Sequence, residues 1–153
     1  MMRRKLKHFQ ELSPIEIIEV AKWRNDYRTR KFMKNRHVFS LNSHKRFIAS
    51  LDFDYIKVND IGCFNIIQRT DNSIELGIFK NPVKKGVGKV LLKSALEYIE
   101  QNYSQTTIVL EVYRFNRRAI KLYKQFGFRI TKQTNKIYYM ELKSENRKIR
   151  YKR

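Results

Sequence analysis

Apolar and polar positions along the chain change period several times, and each change marks an element. Ser13-Pro14-Ile15-Glu16 opens the first helical stretch. The serine serves as N-cap, the proline takes the first helical position, and the glutamate completes a capping box. Ile17, Ile18 and Ala21 carry this helix towards Lys22-Trp23-Arg24-Asn25-Asp26. A second short helix is predicted after Ser40, with Leu41, Phe47, Ile48 and Leu51 available for burial. The apolar period then shortens to two. Residues 54–58 and 61–67 read as a hairpin turned at Asn59-Asp60. In residues 74–79, Ile74, Leu76 and Ile78 fall on one strand face and Glu75, Gly77 and Phe79 on the other.

Asn81-Pro82 breaks that strand, Gly86 and Gly88 make a tight loop, and an amphipathic helix runs from Val87 to about Gln101. Residues 106–113 form an apolar strand with Glu111 in its midst. Asn116 then caps a helix whose apolar face is Ile120, Tyr123 and Phe126, with Gly127 as the C′ residue. A last hairpin, 128–143, turns at Asn135-Lys136. Strand, glycine loop, helix, strand, helix, strand is an α/β order. No repeat or Pro/Gly-rich linker interrupts it, so one domain is expected over 1–145, followed by a basic tail, 146–153.

Composition narrows the class. The 153 residues suffice for a substantial core, and ten Phe and nine Tyr argue against disorder. No apolar run approaches the roughly 18 residues of a membrane span, and the basic N-terminus lacks the apolar region of a secretory signal. Cys63 alone excludes an intramolecular disulfide framework and fits a reducing, cytoplasmic setting. Three histidines and that cysteine show no metal-ligand spacing, so no metal is expected. The net charge of +20 favours anionic partners, whether nucleic acid, acidic lipid or phosphate-bearing small molecules.

Two stretches carry candidate chemistry. In Val83-Lys84-Lys85-Gly86-Val87-Gly88-Lys89-Val90, glycines lie between a strand end and a helix start. Backbone N–H groups can face outward there, the helix N-terminus adds positive potential, and Lys84, Lys85 and Lys89 add full charges. That is a pyrophosphate cradle, although an ordinary strand-to-helix turn has the same local pattern; Walker and dinucleotide fingerprints are absent. The second stretch is 116–128. Asn116 and Tyr123 lie seven residues apart, nearly on one helix face and about 10 Å apart along the axis.

Taken together, Ile-Glu-Leu-Gly-Ile-Phe, Lys-Lys-Gly-Val-Gly-Lys-Val-Leu-Leu and Asn-Arg-Arg-Ala-Ile-Lys-Leu-Tyr-Lys-Gln-Phe-Gly-Phe resemble the GNAT superfamily of N-acetyltransferases over roughly residues 4–143. Val83 stands where that family usually has Gln or Arg, and Lys84 and Lys85 offer the missing charge. The resemblance implies a GNAT fold, a mixed sheet flanked by helices, and acetyl-CoA as co-substrate. It places the pyrophosphate on Lys84, Lys85, Gly86, Val87, Gly88 and Lys89 and the pantetheine arm along the Ile78 and Phe79 backbone. It implies that Asn116 contacts pantetheine and that Tyr123 protonates the departing thiolate. A phenol suits that task because its pKa near ~10 keeps the proton in place at neutral pH. Glu75 is the candidate base, with Gly77 leaving room beside it for the cofactor; a solvated edge carboxylate is the alternative. Glu111 reads as a substrate-side carboxylate or a structural ion pair, and Cys63 as a small buried residue.

Lys22–Asp26, residues 32–48 and residues 75–92 resemble one subfamily, the UDP-4-amino-4,6-dideoxy-N-acetyl-β-L-altrosamine N-acetyltransferases of pseudaminic acid biosynthesis, which serve flagellin glycosylation. That resemblance implies a nucleotide-sugar pocket lined by Arg24, Met33, His44 and Phe47. A surface guanidinium, core packing for Met33 and Phe47, and an exposed imidazole are the plainer readings of these residues. Rival functions are a GNAT acetylating ribosomal or other protein N-termini, a nucleic-acid-binding module and an acyl-CoA sensor. Nucleic acid is disfavoured because no RNP, KH or zinc pattern is present. A homo-oligomer stays open.

Overall fold

A computed structural model describes residues 5–147, so most of the expected basic tail lies outside the described residues. The chain runs β1 (Leu6–His8), a 3-10 turn (Phe9–Glu11), α1 (Pro14–Asn25), α2 (Tyr27–Arg30), α3 (Leu41–Ala49), β2 (Asp54–Val58), β3 (Gly62–Gln68) and β4 (Ser73–Lys80). It continues through α4 (Gly88–Asn102), β5 (Thr107–Tyr113), α5 (Arg117–Gln125), β6 (Arg129–Gln133), β7 (Ile137–Leu142) and α6 (Ser144–Arg147). The strands make one mixed sheet in the order β1-β2-β3-β4-β5-β7-β6, with β4 and β5 parallel. This is the expected α/β architecture, and the chain divides into two compact units: Met1–Ile66 with Gly77–Ser94, and Ile67–Leu76 with Ala95–Arg153.

In the first unit α1 starts as its capping box dictates. The Ser13 hydroxyl accepts from the Glu16 amide at 3.2 Å, and a Glu16 carboxylate oxygen accepts from the Ser13 amide at 2.9 Å. Lys7 donates to the same carboxylate at 2.7 Å. Behind the helix, Phe9, Leu12, Val20, Trp23, Ile48, Cys63 and Phe79 form a buried cluster, with Ile17, Met33, Leu51 and Tyr55 packed against it. Cys63 is fully buried there, and burial pushes its thiol well up from the ordinary value.

Two expectations about burial need correction. Leu41 and Phe47 stay exposed on α3, at 38% and 41%. On β4, Ile74 and Leu76 are buried as the alternation requires, but so is Phe79 from the opposite face. Phe79 sits beside Cys63 and Trp23 in the cluster, so the second half of the strand is covered where the alternating pattern left it open.

In the second unit, β5 alternates as a strand with one buried face. Ile108 lies across from Leu142 and Leu110 from Met140 on β7, and all four side chains are buried. Glu111 therefore falls on the half-buried face, opposite Tyr139. β6 is the exposed edge of the sheet, which explains its run of polar residues.

Candidate active site

The glycine loop connects β4 to α4 within the first unit. Asn81 sets its entry: the side-chain oxygen accepts from the Val83 amide at 3.2 Å, the backbone oxygen from the Lys84 amide at 3.1 Å, and the side-chain amide donates to Asp60 O at 2.8 Å. Gly86 then adopts φ +71, a left-handed conformation that other residues rarely take. Beyond it, the first backbone hydrogen bond of α4 runs from Leu91 to Val87 O at 2.9 Å. The amides of residues 85–89 consequently have no partner among the described residues. Consecutive free donors at a helix N-terminus form an anion cradle. Lys85 and Lys89 are exposed beside it, with no ion pair among the described residues. Lys84 is already engaged: its ammonium lies 2.8 Å from Asp60, a partner the sequence reading did not foresee. The Val83 side chain is 67% exposed and contributes nothing polar.

A second set of candidate residues is gathered in the same unit by α1, α3 and the segment between α2 and α3. That segment is pinned by the Arg-Asn pair ending α1. Asn25 donates to Phe39 O and accepts from the Phe39 amide, both at 2.8 Å. Arg24 Nη2 donates to Asn35 O at 2.9 Å, and the guanidinium lies 5.3 Å from the Phe39 ring centroid. Arg30, missed in the sequence, donates to Asn25 O at 2.7 Å and to Arg36 O at 2.9 Å. The four-residue α2 that places Arg30 is too short for periodicity to reveal; only its Asp26 cap was a usable signal.

Two polar atoms here are buried without a hydrogen-bond partner among the described residues, Arg24 Nη1 and His44 Nε2. Burial and then the neighbouring Arg24 charge lower the His44 pKa, so the ring is neutral near pH 7. Arg24 is shifted down by burial but remains a cation. The plainer readings, a surface guanidinium and an exposed imidazole, do not hold. Around them runs an aromatic array: Tyr55 stacks on Phe9 at 4.1 Å, Phe47 meets Tyr55 edge-on at 5.8 Å, and His44 lies 6.5 Å from Phe47. Met33 packs against the core cluster below. Tyr55 was also missed. Burial, the leading cause, raises its phenol pKa, and its hydroxyl has no hydrogen-bond partner among the described residues. Only its cross-strand position on a hairpin could have signalled it.

Gly77 needs a further correction. The space left by its missing side chain is filled: a β-carbon there would lie 2.3 Å from Asn65 Oδ1. The glycine makes room for a neighbouring carboxamide.

The second unit holds the remaining candidates. Asn116 caps α5, its side-chain oxygen accepting from the Ala119 amide at 3.4 Å, so its NH2 group is left for other partners. At the other end, the Phe128 amide donates to Tyr123 O and the Gly127 amide to Lys124 O, each at 3.0 Å, with Gly127 at φ +99. This is a Schellman termination, in which the residue two beyond the cap packs on the third-last helical residue. Here those are Phe128 and Tyr123, with ring centroids 5.6 Å apart. The Gly-Phe ending thus fixes the Tyr123 ring. Burial pushes its phenol up to about 12, and its hydroxyl has no hydrogen-bond partner among the described residues. Glu75 is half-buried on β4 and likewise has neither ion pair nor hydrogen bond there.

The chain as a whole is similar to known proteins. The chain is 33% identical over 150 residues to Acetyltransferase PseH of Campylobacter jejuni (strain 81-176), covering 93% of this chain and 95% of the relative. The crystal structure of Campylobacter jejuni N-acetyltransferase PseH in complex with acetyl coenzyme A superposes with a TM-score of 0.75 at 29% identity, over 92% of this chain and 99% of that one. A spermidine N-acetyltransferase from Vibrio cholerae, solved with CoA and spermine, shares the fold at a TM-score of 0.74 and 19% identity, covering 98% of each chain. The pattern of the Acetyltransferase (GNAT) family matches residues 20–128, from the middle of α1 to the end of the Schellman motif, and the chain belongs to that family.

Proposed function

We propose that this protein transfers the acetyl group of acetyl-CoA to the 4-amino group of a UDP-linked amino sugar, in pseudaminic acid biosynthesis serving flagellin glycosylation. The observation that carries the acetyl-CoA half is the run of amides at 85–89 opening α4, which have no partner among the described residues. Those donors, with Lys85 and Lys89, fit a diphosphate by charge and by hydrogen-bonding capacity. Similarity to the PseH proteins across almost the whole chain supports the acceptor half. So do Arg24 Nη1 and His44 Nε2, buried without a partner among the described residues, which offer a nucleotide a charge and a directional polar contact.

The thioester supplies an activated acyl group and a thiolate leaving group. The chain supplies proton handling and orientation. Glu75, directly or through water, takes the proton that the acceptor ammonium must lose before its nitrogen can attack. Tyr123 gives its proton to the thiolate as the carbon–sulfur bond breaks, and burial keeps that phenol protonated until then. The phenolate recovers a proton, directly or through water, from the nitrogen as it sheds its second proton to become the amide. The Asn116 NH2 group and the Ile78 and Phe79 backbone orient the pantetheine arm, while Arg24, Met33, His44 and Phe47 hold the nucleotide sugar. Glu111 is assigned to the acceptor side. Transfer is direct, because Cys63 is sealed in the core with a raised pKa and serves poorly as an acyl carrier. Among the described residues no helix is long and apolar enough to cross a membrane, and we place the enzyme in the cytoplasm.

Mass spectrometry of products formed from acetyl-CoA and candidate UDP-amino sugars tests the reading. A 4-acetamido product supports it. Acetylation of a ribosomal N-terminal peptide without turnover of any UDP-amino sugar transfers the assignment to protein acetylation.

A further inference from the structure

Asn65 and Gly77 break the same local rule side by side. Both residue types are disfavoured inside strands, glycine for its entropy and asparagine for its competing side chain. Yet Asn65 sits within β3 and Gly77 within β4. Gly77 has no left-handed φ that would demand glycine. Its missing side chain is a matter of space. A β-carbon on Gly77 would lie 2.3 Å from Asn65 Oδ1, 3.2 Å from Cγ and 3.5 Å from Nδ2, so the carboxamide is laid over the β4 backbone.

The carboxamide has no hydrogen-bond partner among the described residues, and it is half-buried. Asn65 lies directly opposite Tyr55 in the β2–β3 register, and directly opposed residues share a sheet face. Tyr55 carries a hydroxyl with no hydrogen-bond partner among the described residues and borders the aromatic array around His44 and Phe47. Asn65 thus extends the acceptor-side group of residues across the sheet. Two strand-disfavoured residues held together without a structural hydrogen bond are the kind of local conflict that function explains.

We propose that Asn65 is a specificity-determining residue whose carboxamide hydrogen-bonds a secondary amide of a bound substrate, in the space that Gly77 leaves for it. A carboxamide presents one acceptor and a donor group in one plane, the complement of a secondary amide, and it is neutral, so it orients without taking a proton. The proposal rests on the acetyltransferase reading above. Two ligands there offer such an amide: an acetamido group on the acceptor sugar, and the pantetheine arm of acetyl-CoA.

The test compares Asn65→Ala, Gly77→Ala and the double variant, using UDP-4-amino sugars bearing either 2-acetamido or 2-hydroxy and measuring acetyl-CoA affinity by calorimetry. If the amide is the acceptor's, Asn65→Ala lowers kcat/KM for the acetamido sugar about tenfold through KM and brings the two sugars near parity. If it is the pantetheine's, the acetyl-CoA Kd rises about tenfold and the sugar ratio stays fixed. Gly77→Ala reproduces either defect by displacing the carboxamide, and the double variant is no worse than Asn65→Ala. Adding Asn65→Ala also restores the Tm lost in Gly77→Ala. An unchanged sugar ratio together with an unchanged acetyl-CoA Kd in Asn65→Ala overturns the proposal, whatever happens to Tm. Absence of turnover of either sugar by the wild type overturns the acceptor reading instead, and the acetyl-CoA arm then decides Asn65 alone.

Discussion

Tyr123 is the acid of the proposed transfer, and its surroundings suit that role. Its ring is held by Phe128, its hydroxyl is free of partners among the described residues, and burial lifts the phenol to about 12. The phenol is therefore protonated throughout the range in which an amine nucleophile deprotonates. Tyr123→Phe should lower kcat by ~10² to 10⁴, the usual contribution of a general acid, while acetyl-CoA affinity stays within about twofold. Full turnover in the Phe variant would show that water or another residue is the acid. His44 allows a second prediction, through stability. Its folded pKa lies below the ordinary histidine value of 6.5 because burial and Arg24 oppose the imidazolium. As pH falls below that value, the unfolded chain takes up a proton that the folded chain resists, so stability present above 6.5 is lost towards the folded pKa. His44→Gln should flatten that acid limb in urea melts between about pH 7 and 5. A limb equally steep in the Gln variant assigns it to other groups.

At the scale of elements, the ends matter more than the middles. α5 ends in a Schellman motif that needs Gly127 at φ +99 and seats Phe128 on Tyr123. Gly127→Ala should cost about 1–2 kcal/mol, the penalty for a β-carbon in left-handed backbone, and lower Tm by a few degrees. It should also reduce kcat more than Ala substitutions at exposed positions of α5, because the phenol loses its seat. A loss of Tm with kcat untouched would separate the motif from catalysis. These ends were legible in the sequence because caps carry named residues: Ser13 with Glu16, Ser40, Asn116 and Gly127 all sit where expected. So was the form of the glycine loop, since Gly86 takes left-handed backbone between β4 and α4. What escaped was short or lateral. β1 has three residues and α2 four, too few for a period to register. Tyr55, Asn65 and Arg30 meet neighbours on other elements, and a linear pattern does not show which residue lies across a strand. The same limit explains the misreading of Gly77: its missing side chain was visible, but the Asn65 carboxamide that fills the space was not.

Over the whole molecule, the net charge of +20 is the property that no single residue explains. Acetyl-CoA and a UDP-sugar each bring a diphosphate, and acetyl-CoA adds a 3′-phosphate, so one cationic field attracts both substrates. Such fields raise encounter and occupancy at low ionic strength and fade once the Debye length falls to about 8 Å near 0.15 M salt. The local contacts proposed above differ in kind. The amides of residues 85–89 and the buried Arg24 are short-range donors that salt screens far less. Raising salt from about 0.02 M to 0.2 M should therefore increase KM for both substrates several-fold while kcat holds, since no net charge approaches the protein after binding. The rival reading of the charge, as a nucleic-acid surface, makes a different forecast. RNA would then bind with a steep log–log salt slope and compete with acetyl-CoA at physiological salt. Steady-state kinetics across that salt range, with and without total RNA, separates the two. Salt-independent KM values would leave the charge without a role in substrate capture. Competitive inhibition by RNA at 0.15 M salt would assign it to a polyanion larger than the substrates.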